Sequence, residues 1–136
     1  MPGIECNAGL RSHAAARLTW GKAMKITDDW DRLDAMLVAP GHHEVLLENE
    51  KVRVLDTRLA PGEQTPIHTH TSSAALYVMS WSDFLRRDAS GNVIVDSRSW
   101  DRQPVIGEAL WLPPLPPHSV ENVGDAELRL IAVELK

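Results

Sequence analysis

The stretch Pro61-Gly62-Glu63-Gln64-Thr65-Pro66-Ile67-His68-Thr69-His70 decides how this chain is read. Pro61-Gly62 is a strong turn signal. After it, Ile67-His68-Thr69-His70 alternates β-branched residues with imidazoles, the pattern of a short strand. Residues two apart on a strand project to the same face. His68 and His70 therefore stand side by side, close enough to hold one ion. A third imidazole, His118, follows the run Pro113-Pro114-Leu115-Pro116-Pro117. That run is expected to be stiff and to stay outside any ladder, placing His118 at the start of the next strand. On a neighbouring strand, His118 would complete a facial set of metal ligands.

Composition bounds the alternatives. At 136 residues the chain is expected to form one domain with a hydrophobic core. A hydrophobic content of 43% and a charged content of 24% are ordinary for a globular protein in water. The net charge of -5 argues against nucleic acid as a partner, because phosphate binding needs a basic surface. Trp20, Trp30, Trp81, Trp100 and Trp111 could stack on bases, but no basic stripe accompanies them. No apolar run is long enough to cross a membrane as a helix, so no membrane partner is expected. The single cysteine, Cys6, rules out a disulfide within the chain, and a cytoplasmic location is the expectation.

Charge is unevenly spread. Arg11, Arg17, Lys22 and Lys25 face only Glu5 in the first 25 residues, so the acidic excess lies wholly in the remainder. This start lacks the continuous apolar segment of a secretory signal, and residues 1–26 read as a flexible extension. A barrel domain is expected over 27–136. It opens with a short helix capped by Thr27 or Asp28, with Trp30, Leu33 and Leu37 forming an apolar stripe and Ala39-Pro40-Gly41 ending it.

From Val45 onward the pattern is β. Strands are expected at Val45–Leu47, Val52–Leu59, Ile67–His70, Ala74–Ser80, Phe84–Arg87, Val93–Asp96, Ala109–Leu112, Ser119–Val123 and Glu127–Leu135. Turn signals at Glu48-Asn49, Pro61-Gly62, Ser90-Gly91-Asn92 and Gly124-Asp125 separate several of them. Many short strands without a long helix between them define an all-β sandwich or small barrel.

At these residues the sequence resembles the cupin superfamily. Gly62, His68 and His70 match its first motif, G-x5-H-x-H-x3,4-E-x6-G. Gly107, Pro113, His118 and Asn122 match its second, G-x5-P-x-G-x2-H-x3-N. The resemblance implies a double-stranded β-helix, or jelly roll, and a homodimer. It also implies one divalent metal ion held by His68, His70 and His118. Three positions depart from the motifs. Ala74 stands where the family carries a glutamate ligand, Trp81 replaces the glycine ending the first motif, and Leu115 replaces the glycine inside the second.

Loss of that glutamate leaves a divalent ion its full charge, which suits a small anionic ligand. Fe(II) is favoured for an enzyme, with Zn, Ni or Mn as other occupants. Three-histidine cupins include iron-dependent dioxygenases, so a dioxygenase-like oxidoreductase is one expectation. A non-catalytic binding or sensor cupin, with a structural metal or none, is the alternative.

No catalytic residue is assigned. Tyr77 is expected to point away from the site if Ala74 points in, and Trp111 to pack in the core. Arg53 or Arg58 could anchor a substrate carboxylate. Gln64 and Glu121 could support the ligands, and Asn122 could brace a turn. Arg86-Arg87-Asp88 reads as an exposed hairpin end.

Overall fold

Alternation of apolar and polar side chains along nine strands builds two facing antiparallel sheets. The computed structural model describes residues 28–136. The expected extension over 1–26, and Thr27 as a cap, lie outside those residues. The strands are β1 (His43–Glu48), β2 (Val52–Leu59), β3 (His68–His70), β4 (Ala74–Ser80), β5 (Phe84–Asp88), β6 (Val93–Asp96), β7 (Ala109–Leu112), β8 (Leu115–Asn122) and β9 (Leu128–Leu135). One sheet has the order β1-β2-β9-β4-β7 and the other β3-β8-β5-β6. The expected all-β double-stranded β-helix is the fold observed, with four strands (β2, β4, β6 and β7) at the bounds read from sequence.

The period-two pattern sets what lies between the sheets. On β4, Ala74, Leu76 and Val78 are buried while Tyr77 and Met79 face outward. Leu55, Phe84, Leu110, Leu112, Leu115, Leu128 and Ala132 complete the lining from five further strands. Gly62 and Gly107, the leading glycines of the two motifs, both hold φ near +80 to +87°, a conformation that favours glycine over residues with a Cβ.

The expected helical preface takes the form of two short turns, α1 (Asp28–Asp31) and α2 (Ala35–Val38). Asp34 separates them, accepting the Met36 N–H at 3.0 Å and bridging to Thr69. The anticipated stripe is therefore broken: Trp30 is buried but Leu37 is 69% exposed. The preface closes an edge. β3 ends its sheet, and its Thr69 N–H donates to the Leu33 carbonyl at 2.7 Å. The Thr69 hydroxyl donates to the Trp30 carbonyl at 2.6 Å. A free strand edge is thereby covered.

Three expectations fail for physical reasons. The proline run does not stay outside the ladder: β8 already begins at Leu115 and includes Pro116 and Pro117. Pairing with β5 reaches only as far as His118, and pairing with β3 is irregular between His68 and His70. The prolines occupy the places where no ladder N–H is needed. Trp111 is 53% exposed, because β7 turns Leu110 and Leu112 inward. Arg86 is no exposed hairpin residue; it shares the inner face with Phe84 and is 2% exposed.

Asn122 braces the turn after β8, as expected. Its amide donates to the Leu59 and Ala126 carbonyls, both at 2.8 Å. Its carbonyl accepts from the Ser82 hydroxyl at 2.7 Å and the Gly124 N–H at 3.0 Å. Asn122→Ala strands several buried groups, and the expected loss is on the order of 3 kcal/mol. A lowered urea midpoint with an unchanged slope would show it.

Candidate metal centre

Four histidines meet at one end of the space between the sheets. β3 supplies His68 and His70, and β8 supplies His118, which is registered directly opposite His68. The first residue of β1 supplies His43. Ring centroids lie 4.3 Å apart for His68–His118, 5.0 Å for His68–His70 and 5.5 Å for His70–His118. His43 stands 5.2 Å from His68 and 5.6 Å from His70. The structure thus brings the three expected residues together and adds a fourth. One ring nitrogen from each of His43, His68 and His70 lies within 4.8 Å of the others, a spacing that could hold a metal ion.

Each ring is held by its Nδ1. That atom lies 2.8 Å from the Pro66 carbonyl in His68, 2.8 Å from the Pro116 carbonyl in His118 and 3.0 Å from the Ala39 carbonyl in His43. A carbonyl oxygen only accepts, so Nδ1 carries the proton in all three. The Nε2 lone pair is then left free, which is the tautomer a metal ligand requires. Two of the three carbonyls belong to prolines two residues before their histidine. The prolines of this sequence therefore orient imidazoles as well as stiffening the chain.

His70 is held by a side chain instead. Its Nδ1 lies 3.3 Å from Oε2 of Glu134, a 3% exposed carboxylate on β9. Arg53 donates from Nε to the other oxygen of Glu134 at 2.6 Å, and from its two Nη atoms to Asp34 at 2.9 and 3.1 Å. Glu134 is registered opposite Ala74 and shares its inner face. The site has a carboxylate after all, contributed by a different strand and placed behind a ligand. Burial pushes the Glu134 carboxyl up, but hydrogen bonds from His70 and Arg53 outweigh it and hold the group below its ordinary value.

Burial also keeps His43, His68 and His118 neutral. It drives His43 down to about 4 and His68 to about 3. His118 lies well below the ordinary histidine value, again chiefly through burial, with the neighbouring His68 and His70 adding to the effect. Neutral nitrogens with free lone pairs suit zinc and the late first-row ions.

The histidines face a cavity of about 800 Å³, its open mouth included. Leu76, Leu112, Leu115, Val120, Leu128 and Leu130 make up much of its wall, and Arg86 enters from β5. The other groups weighed from sequence are engaged elsewhere. Arg58 pairs with Asp56 at 2.9 Å, Gln64 donates to Ser119 and Glu121 pairs with Arg87. Tyr77 points outward, as expected.

A cupin domain from Bordetella pertussis Tohama I has a similar structure, with a TM-score of 0.56 and 26% identity over 69% of this chain and 91% of that one. An RmlC-like cupin family protein with a double-stranded β-helix fold, from Methanocaldococcus jannaschii, is 17% identical over 86% and 92% of the two chains, with a TM-score of 0.49. No protein-family model and no curated protein matches the sequence. By its fold the chain belongs to the cupin superfamily.

The depressed histidines link stability to pH. Between the ordinary histidine value and about 4, the unfolded chain binds a proton at position 43 that the folded one does not. Stability is therefore complete above pH 6.5 and falls as pH drops toward 4, by about 3 kcal/mol for His43 alone. Urea unfolding of metal-free protein at pH 7.5 and pH 5 should show this fall. His43→Gln should shrink it, and an equal fall in the variant would contradict the assignment.

Proposed function

We propose that the protein is a mononuclear metal cupin acting on a small anionic substrate, a dioxygenase-like oxidoreductase in reaction class. His68, His70 and His118 would hold the ion, with His43 as a further nitrogen ligand. Fe(II) suits the enzymatic reading, and Zn, Ni or Mn fit the same nitrogen set. The observation carrying this reading is the Nδ1 anchoring, which leaves buried neutral imidazoles with free Nε2 atoms on one face of an apolar cavity. When bound, the metal supplies Lewis acidity and, for iron, a redox couple.

The chain's own residues supply the rest. Glu134, fixed by Arg53, orients His70 as a ligand. The leucines of the wall exclude water from a substrate lodged beside the histidines.

His43 also favours a second reading. Four nitrogen ligands can saturate a tetrahedral ion, and a closed site marks a structural metal in a binding cupin. Removal of His43 separates the two, since opening a position changes substrate access in the closed case only.

Elemental analysis of protein purified without chelator tests the site itself. The wild type is expected to hold close to one equivalent of a transition metal per chain. His68→Ala and His118→Ala should lose it while keeping the β-rich circular dichroism spectrum. Full occupancy in both variants would overturn the proposal. Oxygen uptake with candidate acids by the iron-loaded wild type then separates an oxidoreductase from a binding protein.

A further inference from the structure

Arg86 is a buried cation with no counter-charge among the described residues. It projects from β5 beside Phe84 into the cavity and is 2% exposed. Its register partner on β8 is Val120, two residues from His118, so the guanidinium lies on the same inner face as the imidazoles. Its Nε and Nη1 are buried and make no hydrogen bond. The acid nearest the histidines cannot serve it, because Glu134 is already held by Arg53 and His70. Nor can Asp56, which takes Arg58 and Arg129. Among the described residues, Arg53, Arg58, Arg87, Arg98, Arg102 and Arg129 each pair with a carboxylate, and Arg86 does not.

A charge buried without a partner is strongly unfavourable, and one aimed into a cavity calls for an anion from outside. We propose that Arg86 is the specificity residue of this cavity and binds the carboxylate of a monocarboxylic acid with an apolar body. One cation and a wall of Leu76, Leu112, Leu115 and Leu128 fit one carboxylate on a hydrocarbon. They do not fit a phosphate ester, whose second charge and extra oxygens would meet leucine. The acid's apolar end rests on the leucines, and its carboxylate end lies beside the histidines. The assignment deepens the metal-enzyme reading and rests on it for the reaction, while the binding itself needs no metal.

The test uses the full chain, freed of metal with chelator, and two probes of one shape: 4-methylpentanoate and the neutral 4-methylpentanamide. Titration calorimetry should show the acid binding at least tenfold more tightly than the amide. Arg86→Gln should bring that ratio to near one. Equal binding of the two probes by the wild type, binding of neither, or a preserved preference in Arg86→Gln would overturn the proposal. If Arg86→Gln does not fold, the wild-type ratio still decides. Zinc uptake measured on the same samples separates the two readings. Acid preference without zinc uptake leaves Arg86 standing and removes the metal site; zinc uptake without acid preference does the reverse.

Discussion

The hydrogen bonds that fix Nδ1 of the histidines are the constraint on which the site depends. An imidazole has two nitrogens, and only a partner at one of them decides what the other offers. Here three backbone carbonyls and one carboxylate take the Nδ1 side. The opposite nitrogens of His43, His68 and His118 are then alike in charge state and tautomer. Preorganisation of this kind lowers the ordering cost of ligand binding, because the rings do not have to turn.

The fold exists in a form that serves these bonds. The Pro66 and Pro116 carbonyls lie two residues before their histidines, at the ends of paired strands where the ladder between β3 and β8 becomes irregular. The Ala39 carbonyl comes from the end of the helical preface, whose other contacts fasten Thr69 between the two β3 histidines. Asp34 caps the second helical turn and also anchors Arg53, which holds Glu134 behind His70. A chain of contacts therefore runs from the preface to all three of β1, β3 and β9. The preface is part of the site's support as well as a cover for an edge.

Much of the fold was legible because a period of two is a strong signal where one strand face is buried. β2, β4, β6 and β7 came out at the bounds their alternation implies, and the spacing of His68, His70 and His118 implied their meeting. His43 was not legible. It lies outside both motifs at the very start of an exposed strand, and only the closing of β1 onto the barrel brings it in. Glu134 was hidden for a related reason, since its register with Ala74 is a long-range pairing. Arg86 could have been found: counting by two from Phe84 places it inside, but an arginine followed by Arg87 and Asp88 reads as solvated. Trp111 shows the reverse error, where residue type suggested core and the alternation of Leu110 and Leu112 placed it outside. In each case the geometric period outweighed residue chemistry.

The most direct test of the central claim is the ligand shell itself. X-ray absorption spectroscopy on the zinc-loaded full chain reads the number and type of donor atoms, and imidazoles leave a characteristic multiple-scattering pattern. The account predicts a shell containing at least three imidazole nitrogens, with Glu134 outside it. A shell with fewer than three imidazoles, or with a protein carboxylate bound to the ion, would contradict the account.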